Sequence, residues 1–170
     1  GSYHYDDEGK AGQKTYLIEN GELKSYLYDR ASALKAKTKS TGNGRRESYR
    51  HLPLCRMSNI LLSPGNDNPD AIVKDTKSGI LVTSIGGGQA HLTTGEFTFQ
   101  IAEAFKIENG EVGYPIEPTL IRGNSLEVIQ RVDKIGNDFG FGPGTCGKGG
   151  QGVPVGDAQP TVRIKDVKIG

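Results

Sequence analysis

Cysteine is scarce in this sequence: Cys55 and Cys146 are the only two among 170 residues. The chain also opens without the charged and then apolar pattern of a secretory signal, so we expect no disulfide framework and a reducing, cytoplasmic setting. Apolar runs are short as well, and none approaches the roughly 20 residues of a membrane helix, which excludes a helical membrane protein. The formal net charge is only +1, so whole-chain electrostatics give no reason to expect nucleic acid.

Glycine, by contrast, is abundant. It accounts for 25 of the 170 residues, about twice the average share, which argues against a mainly helical protein. The length fits one domain with a real hydrophobic core. Three glycine-rich stretches follow no regular pattern, and we predict that they are loops that turn tightly or approach a ligand or another chain. These stretches are 39–50, 86–89 and 139–156.

Two Asn-Gly pairs, at 20–21 and 109–110, are the clearest local signals. Both central residues of a type I′ turn need positive φ, which Asn and Gly tolerate best, so each pair predicts a β-hairpin. The same five residues, Ile-Glu-Asn-Gly-Glu, occur at 18–22 and again at 107–111. This repetition predicts an internal duplication of a hairpin unit.

Three short helices are predicted from residues at their starts. The predicted N-caps are Asp29, Asn68 ahead of Pro69, and Asn124, which has Glu127 three residues later as in a capping box. Further strands are predicted at 57–62, 80–85, 96–104, 152–155 and 161–169, the last with one bulge. The predicted class is α+β: predominantly antiparallel β-structure, sheet-like or barrel-like, with two or three short helices.

Residues 142–148 nearly spell a phosphate-binding P-loop. Gly142, Gly147 and Lys148 have the correct spacing, but Gly149 stands where Ser or Thr must reach the metal. The glycines and Pro154 that follow cannot open the helix whose N-terminus receives the phosphates. Nucleotide binding is therefore not predicted.

Cys146 itself has several interpretations. It lies between glycines and near Lys148, so it could act as a nucleophile or a soft metal ligand, or be an ordinary buried cysteine. A catalytic zinc ion usually needs three protein ligands plus water, and the sequence has three His and no His-Glu-x-x-His helix. The residues alone leave these alternatives open, and Cys55 is assigned no role.

Positive charge is concentrated over residues 30–56, which we call the basic patch. With Tyr49 as a stacking partner it could bind phosphates, although a solvated surface explains the same charges. The acidic run at 6–8 has the chemistry of a calcium site without the periodicity of its ligands. A turn between strands is predicted there instead.

Taken in order, several segments resemble the C-terminal part of the TldD family, relatives of TldE (also called PmbA), a family that has been described as modulators of DNA gyrase. The resemblance spans essentially the whole chain. It is carried by GSYHYDDEG at 1–9, LIENG at 17–21, GNGRRESYR at 42–50, GGGQ at 86–89, GTCGK at 144–148 and VPVG at 153–156. The glycine-flanked Cys146 favours the TldD branch over TldE.

The resemblance implies a zinc metallopeptidase that cleaves unfolded peptides as a heterodimer with a TldE-like subunit. In the family a His-Glu-x-x-x-Asp-His type helix supplies two His ligands and the catalytic Glu, and a Cys that matches Cys146 completes the zinc site. That helix is not in this sequence. We therefore expect residues 1–170 to be a single C-terminal domain of a longer chain, with one zinc ligand, no catalytic residue and no activity by itself.

Six further residues are predicted to line the peptide groove or the subunit interface: Arg45, Arg46, Tyr49, Arg50, His51 and Lys148. No membrane partner is expected, and nucleic acid is not the expected ligand. The alternative function is a non-catalytic module, in line with the gyrase-modulator description, that binds protein or nucleic acid through the basic patch.

Overall fold

The computed structural model describes residues 1–91 and 93–170, and most of its secondary structure is β. The strands are β1 Ile18–Glu19, β2 Glu22–Leu23, β3 Gly44–Arg45, β4 Leu54–Cys55, β5 Asn59–Leu61, β6 Ser78–Ala90, β7 Glu96–Glu108, β8 Glu111–Pro115, β9 Thr119–Asn124, β10 Val132–Ile135, β11 Gly140–Lys148, β12 Gln151–Gln159, β13 Val162–Ile164 and β14 Lys168–Ile169. The helices are α1 Arg30–Lys35, α2 Pro69–Lys74 and α3 Ser125–Gln130.

The predicted α+β class is confirmed, in its sheet-like form. The described strands form five open sheets, and their pairs are antiparallel except for β5 with β12. Two compact units make up the chain: the first unit is Gly1–Leu62 with Phe141–Ala158, and the second unit is Ser63–Gly140 with Gln159–Gly170. None of the helices in the described ranges is long and apolar enough to cross a membrane.

A five-stranded sheet forms the centre of the second unit. Its order is β14-β9-β7-β6, and β8 also pairs with β7. The long strands β6 and β7 pair from Ser78 opposite Glu108 to Ala90 opposite Phe97. β7 buries Ile101, Ala104 and Ile107, so this unit has an apolar core of the usual kind.

Both predicted Asn-Gly hairpins are confirmed. Asn20 and Gly21 have φ of 52° and 79°, and Asn109 and Gly110 have φ of 52° and 82°, as a type I′ turn requires. The first turn joins two-residue strands, whereas the second joins β8 to the 13-residue β7. The turns are alike and the strands are not, so the internal duplication stays a prediction.

All three predicted helices form, and their N-caps are the predicted residues. Asp29 makes a full capping box with Ser32, and the Asn68 side chain accepts from the Ala71 N–H at 3.1 Å. Asn124 accepts from the Leu126 N–H, but Glu127 pairs with Arg131 at 3.3 Å. The capping box predicted at 124–127 is therefore wrong, because Glu127 pairs one turn forward instead of reaching back.

Two of the three predicted glycine loops are in fact strands. Residues 86–89 lie inside β6, and most of 139–156 forms the β11–β12 hairpin. A Cβ on Gly88 would lie 2.2 Å from Cδ1 of Phe99, and one on Gly156 would lie 2.6 Å from Cζ of Phe141. Glycine in these strands makes room for a phenylalanine of the neighbouring strand, so here it does not mark a loop.

The predicted strand over 161–169 is interrupted. Asp166 has a φ of 54°, and the chain changes partners there: β13 pairs with β10, whereas β14 pairs with β9. The prediction of one strand with a single bulge is therefore wrong: two strands form, because a non-glycine residue in the left-handed region ends the ladder of hydrogen bonds.

Candidate functional site

Cys146 lies on β11, three residues before the turn into β12. The turn is made by Gly149 and Gly150, whose φ values of 60° and 72° carry no steric penalty in glycine. Residues 142–148 therefore belong to a strand that leads into another strand, which confirms that they are not a P-loop opening a helix. The side chain of Cys146 is half-buried.

Residues 43–57, which we call the arginine segment, are largely irregular and are hydrogen-bonded to this hairpin. The Gln151 side chain accepts from the Glu47 N–H at 3.2 Å and donates to the Leu52 carbonyl at 3.1 Å. The Glu47 carboxylate in turn accepts from the Gly152 N–H at 2.7 Å. Side chains from both partners thus satisfy the backbone of the other, which fixes their relative position.

Arg56 makes the deepest of these connections and is only 1% exposed. Its Nη2 donates to the carbonyl of Cys146 and, at 3.0 Å, to the carbonyl of Gln151. Its own backbone is held by Asn43, whose carbonyl accepts the Arg56 N–H at 2.9 Å and whose Nδ2 donates to the Arg56 carbonyl at 3.0 Å. Nε and Nη1 of Arg56 are buried without a hydrogen-bond partner among the described residues.

The acidic run at 6–8 accepts hydrogen bonds from the N-terminal end of the arginine segment. The buried carboxylate of Asp6 accepts two N–H groups of its own turn and the N–H of Gly44 at 2.9 Å. Asp7 accepts from the Arg46 N–H at 2.9 Å. The predicted turn is confirmed, and its carboxylates are occupied by N–H donors, as expected of a structural turn and not of a calcium site.

Three of the six residues predicted to contact peptide or partner are engaged within the first unit. Arg45 is 8% exposed, donates to the Met57 carbonyl at 2.6 Å and lies over the Tyr3 ring at 4.9 Å. Arg46 forms an ion pair with Asp7, with 3.9 Å between Nε and the carboxylate. Lys148 donates to the Cys55 carbonyl at 2.8 Å.

The other three lie together at the outer bend of the arginine segment. Tyr49 is 78% exposed, and the Arg50 guanidinium stacks on its ring at 5.4 Å while Nε donates to the Tyr49 hydroxyl at 3.1 Å. The Nδ1 of His51 is 3.0 Å from the Ser48 hydroxyl. This bend presents an aromatic ring and a cation to solvent.

The basic patch at 30–56 is not one continuous positive surface. Arg45 and Arg56 are buried, and Arg46 is paired with Asp7. Fewer charges than the sequence suggests are thus available to phosphates, whose binding depends on exposed Lys and Arg. The nucleic-acid alternative stays a prediction.

Cys55 differs from Cys146 in its surroundings. Its Sγ donates to the Leu27 carbonyl at 3.0 Å. Burial, and to a smaller extent the nearby Asp29 carboxylate, raise the pKa of the Cys55 thiol. A thiol in this state is a poor nucleophile and a poor metal ligand, because both roles need the thiolate.

The whole chain, residues 1–170, matches a protein family described as the PmbA/TldA metallopeptidase C-terminal domain. The chain belongs to the TldD family. A metalloprotease TldD homologue from Buchnera aphidicola subsp. Schizaphis graminum is 44% identical over 100% of this chain and 36% of the relative. A zinc metalloprotease TldD homologue from Saccharolobus solfataricus is 35% identical over 98% of the chain and 38% of the relative.

Among solved structures, TldE from Thermococcus kodakarensis superposes with a TM-score of 0.78 at 27% identity, over 99% of this chain and 36% of that one. The resemblance to the TldD family is thus confirmed, and identity is higher to the Buchnera TldD homologue than to this TldE, 44% against 27%. The chain spans little more than a third of the length of these relatives.

The name of the Saccharolobus relative indicates zinc in the TldD family, and this chain has one residue whose chemistry suits a zinc ligand. Cys146 offers a sulfur donor of the right chemistry, half-buried, on a main chain fixed by Arg56. The described residues contain no group of three His, Cys, Asp or Glu side chains that could hold a metal by themselves. A complete zinc site needs at least two more ligands.

Sequence reasoning missed the residues that hold this part of the TldD-family domain together: Glu47, Asn43, Arg56 and Gln151. The best signal was the placement of Arg56 in the run Leu54-Cys55-Arg56-Met57, where a cation stands among apolar residues. Burial of an arginine in such a run requires acceptors for at least some of its donors, and among the described residues Nη2 of Arg56 has them. The acceptors here are backbone carbonyls, which no sequence pattern marks.

Proposed function

We propose that this chain is the part of a TldD-type zinc metallopeptidase that supplies one metal ligand, Cys146, and part of a groove for unfolded peptides. It works within a longer cytoplasmic protein that acts with a TldE-like subunit. The histidine ligands and the catalytic glutamate come from outside this chain, which itself holds no catalytic residue. The metalloprotease and zinc metalloprotease names of its relatives support the activity and the metal.

The observation that carries the proposal is the difference between the two cysteines. Cys146 is half-buried, its thiol makes no hydrogen bond within the described ranges, and its carbonyl is held by Arg56. Cys55 is bonded to Leu27 and disfavoured as a thiolate by burial. The sulfur of Cys146 is therefore the better candidate for a metal ligand, and the backbone that carries it is held by Arg56.

In this proposal the chain positions the metal ligand Cys146 and the peptide relative to each other. A zinc ion held in part by Cys146 would supply Lewis-acid chemistry, which makes water a nucleophile at neutral pH. β11, which carries Cys146, is the edge strand of the sheet β11-β12-β5. An extended peptide can pair with such an edge through main-chain hydrogen bonds and tolerate varied side chains. We place the peptide beside β11 for this reason.

The test is a pair of matched substitutions in the full-length protein, Cys146→Ser and Cys55→Ser, with bound zinc measured by elemental analysis. We expect Cys146→Ser to lose most of the zinc together with peptide cleavage, and Cys55→Ser to keep both. Unchanged zinc in Cys146→Ser would overturn the ligand assignment. The isolated chain should bind zinc weakly and cleave no peptide, and robust zinc-dependent cleavage by it would contradict the proposal.

We also propose that the exposed Tyr49–Arg50 pair contacts either the peptide or the TldE-like subunit. The double variant Tyr49→Ala/Arg50→Ala separates the two roles. A raised KM with an intact heterodimer assigns the pair to the peptide, and loss of the heterodimer in size-exclusion chromatography assigns it to the subunit. The matched control replaces Lys24 and the exposed Tyr26 by Ala. If the test and control variants behave alike, neither role holds.

A further inference from the structure

We infer that Arg56 is a positioning residue, which fixes the main chain around Cys146 so that its sulfur is presented to the metal. The inference rests on the proposed function, because it takes Cys146 as a ligand. Arg56 contacts the main-chain carbonyl of Cys146, so its role would be exercised through the backbone of the ligand.

The geometry places one NH₂ group between two strands. Nη2 of Arg56 donates to the carbonyl of Cys146 on β11 and to that of Gln151 on β12. One nitrogen thus ties together both strands of the hairpin on the two sides of the Gly149-Gly150 turn. Glycine turns are flexible by themselves. The arginine supplies a restraint that the turn lacks.

The main chain of Arg56 is anchored as well. The backbone N–H and C=O of Arg56 are both bonded to Asn43, which is 3% exposed and accepts from the Thr41 hydroxyl at 2.7 Å. The restraint on Cys146 therefore comes from a fixed point. Metal ligands must be held within about 0.5 Å of their productive position, and buried hydrogen bonds to the ligand's surroundings provide this.

The cost of Arg56 argues against a role in stability alone. Nε and Nη1 are buried without partners, and none of the ion pairs in the described part of the chain includes Arg56. Burying a charge without a charged partner, and with part of its hydrogen-bonding groups unsatisfied, is costly. By contrast, Arg163 is paired with both Asp75 and Asp133. An arginine retained at such a cost, in contact with Cys146, fits a role in holding that residue.

The experiment uses the full-length protein with Arg56→Met, Arg56→Lys and, as a control, Arg131→Met. Arg131 also donates to a backbone carbonyl, that of Asp166, but belongs to the second unit. Two properties are measured: zinc affinity by competition with a chelator, and the rate of Cys146 alkylation in metal-free protein, with Cys55 in the same digest as reference. Because Cys55 adjoins Arg56, general local unfolding would accelerate both thiols.

We expect Arg56→Met to weaken zinc binding about 10–100-fold, the usual effect of losing a group that orients a ligand. The alkylation rate of Cys146 should change severalfold, while the alkylation rate of Cys55 stays constant. Arg56→Lys keeps donors for the two carbonyls and should recover part of both effects, and Arg131→Met should match the wild type. Wild-type affinity and alkylation in Arg56→Met would overturn the inference, as would parallel changes in both thiols.

Failure of the proposed function leads to a different result. If Cys146→Ser keeps its zinc, Cys146 is not a ligand and the role of Arg56 in metal binding falls with it. If Cys146→Ser loses zinc while Arg56→Met keeps it, the ligand assignment holds and only the positioning role is wrong. The two variants therefore separate the two statements.

Discussion

The two units of this chain differ in the polar side chains that they bury. The first unit buries the apolar Ala33, Val153 and Ala158, and with them seven polar or charged residues: Asp6, Asp29, Thr41, Asn43, Arg45, Arg56 and Gln151. In the second unit, as far as the structure describes it, the buried side chains are apolar, among them Ile72, Ile101, Ala104 and Ile107. Cys146 and the six other predicted site residues all belong to the first unit.

The difference separates two ways of specifying a structure. Apolar contacts are non-directional, and a long ladder such as β6–β7 sets the register in the second unit. Buried hydrogen bonds are directional, and they fix individual groups in the first unit, although Nε and Nη1 of Arg56 have no partner among the described residues. A polar interior is the costlier of the two, and it belongs to the unit that contains Cys146, the proposed ligand.

The largest expected effect tests the apolar side of the comparison. Ile101→Ala should destabilise the second unit by about 2–5 kcal/mol, because it removes a side chain that is 1% exposed and leaves a cavity. Hydrogen exchange in urea should show the loss of protection over 63–140. Ile169→Ala is the control, at 45% exposure, and should cost much less. Equal losses for the two variants would contradict this account of the core.

A somewhat smaller effect tests the polar side. Asn43→Ala removes the donor to the Arg56 carbonyl and one acceptor of the Thr41 hydroxyl, which keeps its bonds to Tyr28. This change should cost about 1–3 kcal/mol, with protection lost over residues 1–62. The exposed Asn66→Ala should change the free energy of unfolding by no more than about 0.5 kcal/mol. If Asn43→Ala is equally mild, the polar interior of the first unit is not holding it together.

The smallest effect depends on pH and tests the second unit's surface. Asp133 accepts from Nε and Nη2 of Arg163 at 2.9 and 2.7 Å and pairs with Lys165, and these bonds hold the pKa of its carboxyl well below the usual range. A lowered folded-state pKa stabilises the fold fully above about pH 4, and the contribution is lost as pH falls further. Because Asp133 is exposed and its ion pairs are screened by solvent, Asp133→Asn should cost no more than about 1 kcal/mol at pH 7 and progressively less below pH 4.

Urea unfolding at pH 7 and pH 3 measures this difference between the wild type and Asp133→Asn. Asp166→Asn is the control, since this exposed side chain makes no ion pair among the described residues. A destabilisation by Asp133→Asn that is the same at both pH values would rule out the ion pairs as its source.

Local rules made part of the fold predictable. The Asn-Gly turns and the caps at Asp29, Asn68 and Asn124 each depend on one residue and its immediate neighbours, so the sequence displays them directly. The prediction of loops at the glycine-rich strands is wrong, because these glycines make room for side chains of a neighbouring strand. Gly88 faces Phe99 and Gly156 faces Phe141. Such a reason becomes visible only once the strands are paired.

The same limit applies to the candidate site. Cys146 could be singled out from its glycine-rich surroundings and the family resemblance. Arg56 stands out only as a cation in an apolar run, and its contact with Cys146 could not be predicted, because its acceptors are backbone carbonyls, which every residue has. Its partners, Cys146 and Gln151, lie 90 and 95 positions away.

Those separations have a consequence for the order of folding. The first unit is made of two pieces of chain, Gly1–Leu62 and Phe141–Ala158, and its joining contacts close loops of about a hundred residues, which is slow. The hairpins of the second unit close locally and can form as soon as residues 63–140 leave the ribosome. Cys146 reaches its place only once residues 141–158 have joined residues 1–62. Zinc loading at this proposed ligand would then follow the closing of that long loop.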